Sequence, residues 1–477
     1  MCDHRFMRND QNPSGGLSRR GFMGFVAGSS LVAAGGGASA SLLGERSVTR
    51  RRRARNVIFM VSDGMSAGTW TLADMASRRL HGRPSAWARL MGMQGVRRSM
   101  CATEAADSLV TDSAAAAAAW GIGERVNNGS LCITPDGREP APLLVKARDR
   151  GMKTGVVTTT LIPHATPAGF VVNIPSRAMY AEIAEQMLER QVDVMLGGGG
   201  EFFPPELLAR HDDLTIARSP EELRKKHAAG SGRLLGMFAD SHMAYERDRT
   251  PEQPSLAEMT DLALRRLHRD ASEAGTGFCV QIEGARVDHA AHGNDPVGLV
   301  FDQLAFDDAV EVAMRFTAER DDTLLLVTTD HANSNPGLTL YRAAAENGFE
   351  RLLNARHTAS WIRRRLPRTE DEAEWKRLTH ELVLSAAGCD LTEEELGWLA
   401  RERLHGERVH GFDALNTLIG NLGAVLANHY AVAFMSRHHT ADMIELTAIG
   451  PGSELLEPVC HLTDVYSVVT EAASITA

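Results

Sequence analysis

The stretch "NVIFMVSDGM" (residues 56–65) is apolar from Val57 to Val61 and then turns abruptly to Ser62-Asp63-Gly64. A short unbroken apolar run that stops at polar and turn-forming residues is the pattern of a strand buried on both faces. Similar runs recur as "KTGVVTTT" (153–160), "VDVMLGGGG" (192–200), "GFCVQIEG" (277–284) and "TLLLVTTDH" (323–331). Between them, "YAEIAEQMLERQ" (180–191) and the stretch 295–319 return apolar residues every three or four positions, as amphipathic helices do. Strands alternating with helices predict an α/β fold, a central mostly parallel sheet sandwiched between helices. In such sheets ligands gather at the carboxyl ends of the strands. Asp63, Glu283, Asp330 and His331 all stand at such ends, so they are expected to meet at one rim.

Residues 341–430 differ. They include "EDEAEWKRLTHELVL", "TEEELGWLARERL" and "FDALNTLIGNLGAVLANHY" and read as an inserted helical cap. The expected organisation is a leader over 1–40, a basic linker over 41–55 and one catalytic domain over 56–477. In the leader, "LSRRGFMGFVAGSSLVAAGGGASA" (17–40) pairs Arg19 and Arg20 with a weakly apolar Gly/Ala stretch and a closing Ala-Ser-Ala. That is a twin-arginine export signal, with cleavage expected near Ala40 and a periplasmic or extracellular destination. The stretch is too short and too rich in glycine to span a bilayer well. The chain of 477 residues has a formal charge of −10 and shows no nucleic-acid signature beyond "RSVTRRRRAR" (46–55), which reads as a solvated linker. Six cysteines without CxxC spacing argue against a disulfide framework, though one or two bridges could form after export. Cys279, inside an apolar run, reads as a core residue.

Several stretches carry possible chemistry. In "EGARVDHAAHGND" (283–295), helical spacing puts Asp288 and His292 on one face, fit to hold one metal or to form a surface hydrogen-bonded pair. "VTTDHAN" presents adjacent Asp330 and His331, and "RHHTADMIELTAIGPG" presents His438 and His439 ahead of a strand-like run. Mixed histidine and carboxylate sets suit zinc. "SLVTDSAAAAAAWG" (108–121) is either filler for a buried helix or an active-site serine at the head of one.

Taken together and in this order, the motifs resemble those of the alkaline phosphatase family over essentially the whole chain beyond the leader, the helical insertion apart. The resemblance implies two zinc ions and one magnesium. It makes Asp63, in "VSDGMS", the carboxylate bridging one zinc and the magnesium, and Ser113 the nucleophile phosphorylated in turnover. Within "TTTLIPHATPAGFVVNIPSR" (158–177), Thr166 would bind magnesium and Arg177 would clamp phosphate, oriented by Asp112. Glu283 goes to magnesium; Asp288, His292 and His439 go to the first zinc; Asp330 and His331, beside Ser113, go to the second. His439 is preferred to His438 because the family's last ligand stands eleven residues before a Gly-Pro, here Gly450-Pro451. His164 and His289 resemble the histidine pair of animal-type members. His289 would reach phosphate through water, and His164 would lie behind the magnesium ligands and tune that site.

The chemistry needs such residues. A phosphate monoester dianion repels nucleophiles, and two zinc ions roughly 3.5–4 Å apart can stabilise both the attacking and the leaving oxygen. Zinc also lowers the pKa of a serine hydroxyl, so no Ser-His-Asp triad is required. The expected partners are small phosphate monoesters and the twin-arginine translocation machinery, with a homodimer as a candidate assembly. Two other readings compete: a phosphodiesterase of the same superfamily, and an inactive metal-binding relative. Serine at 113 and the magnesium residues Thr166 and Glu283 weigh against the first, and the complete ligand set weighs against the second.

Overall fold

The computed structural model describes residues 53–228 and 232–475. The expected export signal (1–40) and most of the expected basic linker lie outside the described residues. Among the described residues fourteen strands occur in chain order: β1 (Asn56–Ser62), β2 (Arg97–Ala102), β3 (Lys153–Leu161), β4 (Val194–Gly198), β5 (Leu214–Ala217), β6 (Arg233–Met237), β7 (Phe278–Gly284), β8 (Thr323–Thr328), β9 (Ala332–Asn333), β10 (Gly337–Leu338), β11 (Val432–Ala433), β12 (His439–Thr440), β13 (Ile444–Ile449) and β14 (Val459–His461). Ten of them form one sheet in the order β14-β2-β13-β8-β1-β7-β3-β4-β6-β5. Only β13 runs against the others, pairing antiparallel with both β2 and β8.

The apolar runs are continuous because both faces of the sheet are covered. Side chains alternate across a strand, so Ile58 and Met60 of β1 enter one core while Val57, Phe59 and Val61 enter the other. The first core lies under helices Ala67–His81, Leu256–Glu273 and Pro296–Ala318. The second lies under Ser113–Ile122, Leu143–Asp149, Ala165–Gly169, Tyr180–Glu189 and Leu462–Ala473. Cys279 is buried in the second core.

Residues 343–430 are dominated by helices, and the segment is pinched at its base where β10 pairs with β11. Phe349, Ile362, Trp375 and Leu422 of this segment share a core with Val297 and Phe306 of the long helix Pro296–Ala318. The insertion is thus packed as part of the same body. Among the described residues, no helix is long and apolar enough to cross a membrane. At the other end of the chain, Ala54 is buried and donates its N–H to Ala472 O, so the fold begins before β1.

Candidate active site

Four adjacent strands, β8, β1, β7 and β3, deliver the polar residues to one rim. β1 ends at Ser62 and is followed by Asp63; Glu283 is the penultimate residue of β7; Asp330 and His331 follow β8. Gly64 takes φ +70, and a Cβ there would lie 2.6 Å from Asp288 Oδ1 and 2.8 Å from Asp288 Cα. Glycine therefore lets the helix Arg286–His292 close onto the end of β1. Its N–H donates to Asp330 Oδ1 at 3.0 Å, which joins the ends of β1 and β8.

Three groups of donor atoms result, each within 4.8 Å: Asp63, His164 and Glu283; Asp63, Asp330 and His331; and Asp288, His292 and His439. Asp63 belongs to the first two. Thr166 stands beside the first group, its Oγ1 3.5 Å from Asp63 Oδ2. Ser113 Oγ is 3.3 Å from His331 Nε2. In the third group, His292 Nε2 lies 3.4 Å from Asp288 Oδ2 and 3.0 Å from His439 Nε2. His439, not its neighbour His438, points here, because β12 pairs His439 with Asn333 of β9. Asn333 Nδ2 also donates to Asp288 Oδ1 at 2.7 Å.

The serine helix is thin because its surroundings leave no room. All ten residues of Ser113–Ile122 are buried, and a Cβ on Gly121 would fall 2.0 Å from Gly169 O of the helix Ala165–Gly169. The alanines thus allow close approach to that second helix, and Thr166 is carried on it. Asp112 caps the serine helix by accepting from Ala115 N at 2.9 Å through Oδ1. Its Oδ2 accepts from Gly129 N and from Arg177 Nη1, at 3.1 and 2.9 Å. One carboxylate therefore fixes both the start of the helix and the guanidinium beside it.

Electrostatically the rim is crowded with negative charge. Burial, with repulsion from Asp330, Asp288 and Glu283, holds Asp63 well above the carboxylate range. Burial raises Glu283 to about 7 and Asp330 to about 6. Asp63 Oδ1, Glu283 Oε1 and Asp330 Oδ2 are buried without a hydrogen-bond partner. Buried carboxylate oxygens left this way are costly, and a bound cation would satisfy all three. The donor set fits metal ions: oxygen-rich around Asp63, Thr166 and Glu283, mixed oxygen and nitrogen in the other two groups. Burial also keeps His331 well below its usual pKa, hence neutral and able to ligate.

His242 was not anticipated from the sequence. Its ring lies edge-on to His164 and His289, with centroids 5.8 and 4.7 Å away. Burial and nearby Arg286 lower it to about 4. Arg286 stacks over Tyr245 and bonds His289 Nδ1 at 2.6 Å. His242 follows β6 at the carboxyl edge, so the strand-end rule would have flagged it had "RLLGM" been read as a strand. Thr158 was missed too; its hydroxyl donates to Glu283 Oε2 at 2.6 Å from the adjacent strand.

A ten-stranded α/β sheet whose central strand ends gather buried carboxylates and histidines beside a serine that opens a helix has the make-up of a hydrolase able to hold metal ions. The chain belongs to the alkaline phosphatase family, whose profile matches residues 54–475. It is 28% identical over 449 residues to the repressible alkaline phosphatase of Saccharomyces cerevisiae, covering 84% of this chain and 77% of the yeast protein. It is 27% identical over 429 residues to alkaline phosphatase 4 of Bacillus subtilis, covering 87% and 88%. The crystal structure of Thermus thermophilus alkaline phosphatase superposes with a TM-score of 0.81 at 32% identity, covering 89% of this chain and 92% of that one. Hydrolysis of phosphate monoesters is the activity of the family.

Proposed function

We propose that this chain hydrolyses small phosphate monoesters through a phosphoserine on Ser113. The observation that carries the reading is the placement of Ser113 Oγ beside His331, next to three buried carboxylate oxygens that lack partners. Asp288, His292 and His439 would hold one zinc; Asp63, Asp330 and His331, with Ser113, a second; Asp63, Thr166 and Glu283 the magnesium, with His164 against it. Bound there, these ions supply the positive charge that lowers the serine pKa and offsets charge on the oxygens entering and leaving phosphorus.

Ser113 Oγ attacks phosphorus in line, and the ester oxygen departs and takes a proton as the free alcohol. Arg177, held by Asp112, grips two of the remaining oxygens as a fork. The phosphoserine then lies at the positive end of the helix Ser113–Ile122, which favours its charge. Water attacks from the side the alcohol left, and phosphate is released as Ser113 recovers. His289 contacts phosphate through water, as the resemblance implies. A site that grips only the phosphoryl group favours monoesters of many alcohols, with diesters as a slower side reaction. Export through the twin-arginine route would let the ions load in the folded protein before it leaves the cytoplasm. A homodimer is the assembly proposed.

Acid quenching during turnover of an aryl phosphate is expected to leave phosphate on the peptide bearing Ser113. Ser113→Ala should abolish both the label and the turnover while keeping the bound metal. Full activity after exhaustive chelation, or a label elsewhere, would overturn the mechanism.

A further inference from the structure

Cys101 and Cys460 lie opposite each other where β2 and β14 run in parallel register. Their sulfur atoms are 2.9 Å apart. Directly paired residues of adjacent strands point to the same face, at a backbone separation within the range that a disulfide spans. Cys101 is fully buried, whereas Cys460 is partly exposed at the edge of the sheet. Ser99, two residues before Cys101 on β2, places its hydroxyl 3.2 Å from Cys460 Sγ. The remaining cysteines of the described residues, Cys132, Cys279 and Cys389, are buried elsewhere.

The geometry points to a disulfide between Cys101 and Cys460 that closes once the chain meets a small-molecule or protein disulfide, stapling the last strand of the sheet to β2. The cellular setting rests on the export reading; the chemistry does not. Cys460, the accessible thiol, attacks one sulfur of the incoming disulfide as its thiolate, forms a mixed disulfide and expels one thiolate. Cys101 then gives up its proton, attacks Cys460 Sγ and expels the second thiolate. Two cysteine thiols are oxidised, one external disulfide is reduced to two thiols, and the two protons end on the departing sulfurs. Contact with Cys101 and Ser99 lowers the Cys460 pKa, while the same contact and burial raise that of Cys101. Cys460 is thereby the attacking partner and Cys101 the resolving one.

The staple has a mechanical consequence. β14 has three residues, pairs among the described residues only with β2, and leads straight into the helix Leu462–Ala473. That helix packs on the serine helix, where the ring of Tyr466 fills the space beside Gly123. β2 ends at Ala102 and runs through a loop into the serine helix, which begins at Ser113. Cross-linking the two strands ties both supports of the serine helix together and closes a loop of several hundred residues, which restricts the unfolded chain strongly.

The test uses the purified full chain, reduced and then exposed to oxidised glutathione. Peptide mapping without reductant should recover a linked pair containing Cys101 and Cys460, with two fewer titratable thiols. The oxidised protein should lose activity on heating several-fold more slowly than the reduced one. Cys460→Ser and Cys101→Ser should both match the reduced protein at either redox state, with unchanged turnover at low temperature. Absence of the linked pair under excess oxidant overturns the proposal. A linked pair with no change in heat inactivation overturns the stapling role. Because none of these readouts involves export, a failure here leaves the export reading standing, and a cytoplasmic location would leave the cross-link standing.

Discussion

Asp63, Glu283 and Asp330 stand on the ends of neighbouring strands and are exposed by 1% or less. Asp288, His292 and His439 come instead from a seven-residue helix and a two-residue strand, and 37% of the His292 side chain is open to solvent. The inner carboxylates are pushed up by burial and mutual repulsion. Asp288 is pushed the same way by burial, yet His292 and His439 hold it well below the carboxylate range. One end of the site is therefore strained until cations arrive, while the other already carries part of its own compensation. The sheet bears the strain because its strand ends are fixed by ladders on both sides.

The sharpest way to break this comparison is Asp63→Asn, since Asp63 serves two donor groups. Activity should fall about 10³-fold or more, while the chelated variant melts higher than chelated wild type because the folded chain no longer has to protonate or bury a crowded carboxylate. A lower melting point for the chelated variant would contradict the strained inner end.

The pH dependence comes next. Glu283 titrates near 7 and Asp330 near 6 in the folded chain, against about 4 unfolded. Between those values the folded state holds more protons, so the metal-free protein loses stability as pH rises. The metal-loaded protein is spared this loss, because its carboxylate ligands stay deprotonated over the same range, as they are in the unfolded chain. The gap in Tm between loaded and chelated protein should widen from pH 5 to pH 7.5 by calorimetry; a constant gap would mean that the inner carboxylates are not perturbed.

At the outer end, Asn333→Ala removes the hydrogen bond that orients Asp288. Affinity for one metal ion per chain should drop about 10-fold, with the others retained, as equilibrium dialysis would show. The smallest effect belongs to His438→Ala, expected within about twofold of wild type in kcat/KM. His439→Ala should lose activity and metal together, and equal effects at the two positions would undo the assignment of the outer group.

The catalytic strands were legible because burial on both faces forces an unbroken apolar run, and β1, β3, β4, β7 and β8 all have one. β2 was not, since Arg98 and Met100 of "RRSMCA" leave one face open and interrupt the apolar run. The strand-like run after His439 was recognised, but its antiparallel direction was not readable. The spacing of Asp288 and His292 announced a shared helix face. Thr158, His242 and Asn333 carry no spacing signal, because each reaches the site across a strand pair or from a loop.

By itself, the sequence determined which residues could serve: the polar ends of apolar strands, the serine at the head of an alanine helix, and the histidines and carboxylates in familiar local order. Local periodicity and propensity are written in consecutive residues, so a reader of the chain can recover them. Only the tertiary structure decided that Gly64 must yield space to Asp288, that Asn333 reaches across to hold Asp288, and that Cys101 faces Cys460. Those outcomes depend on contacts between residues tens to hundreds of positions apart, where packing and register, not local pattern, choose the neighbour.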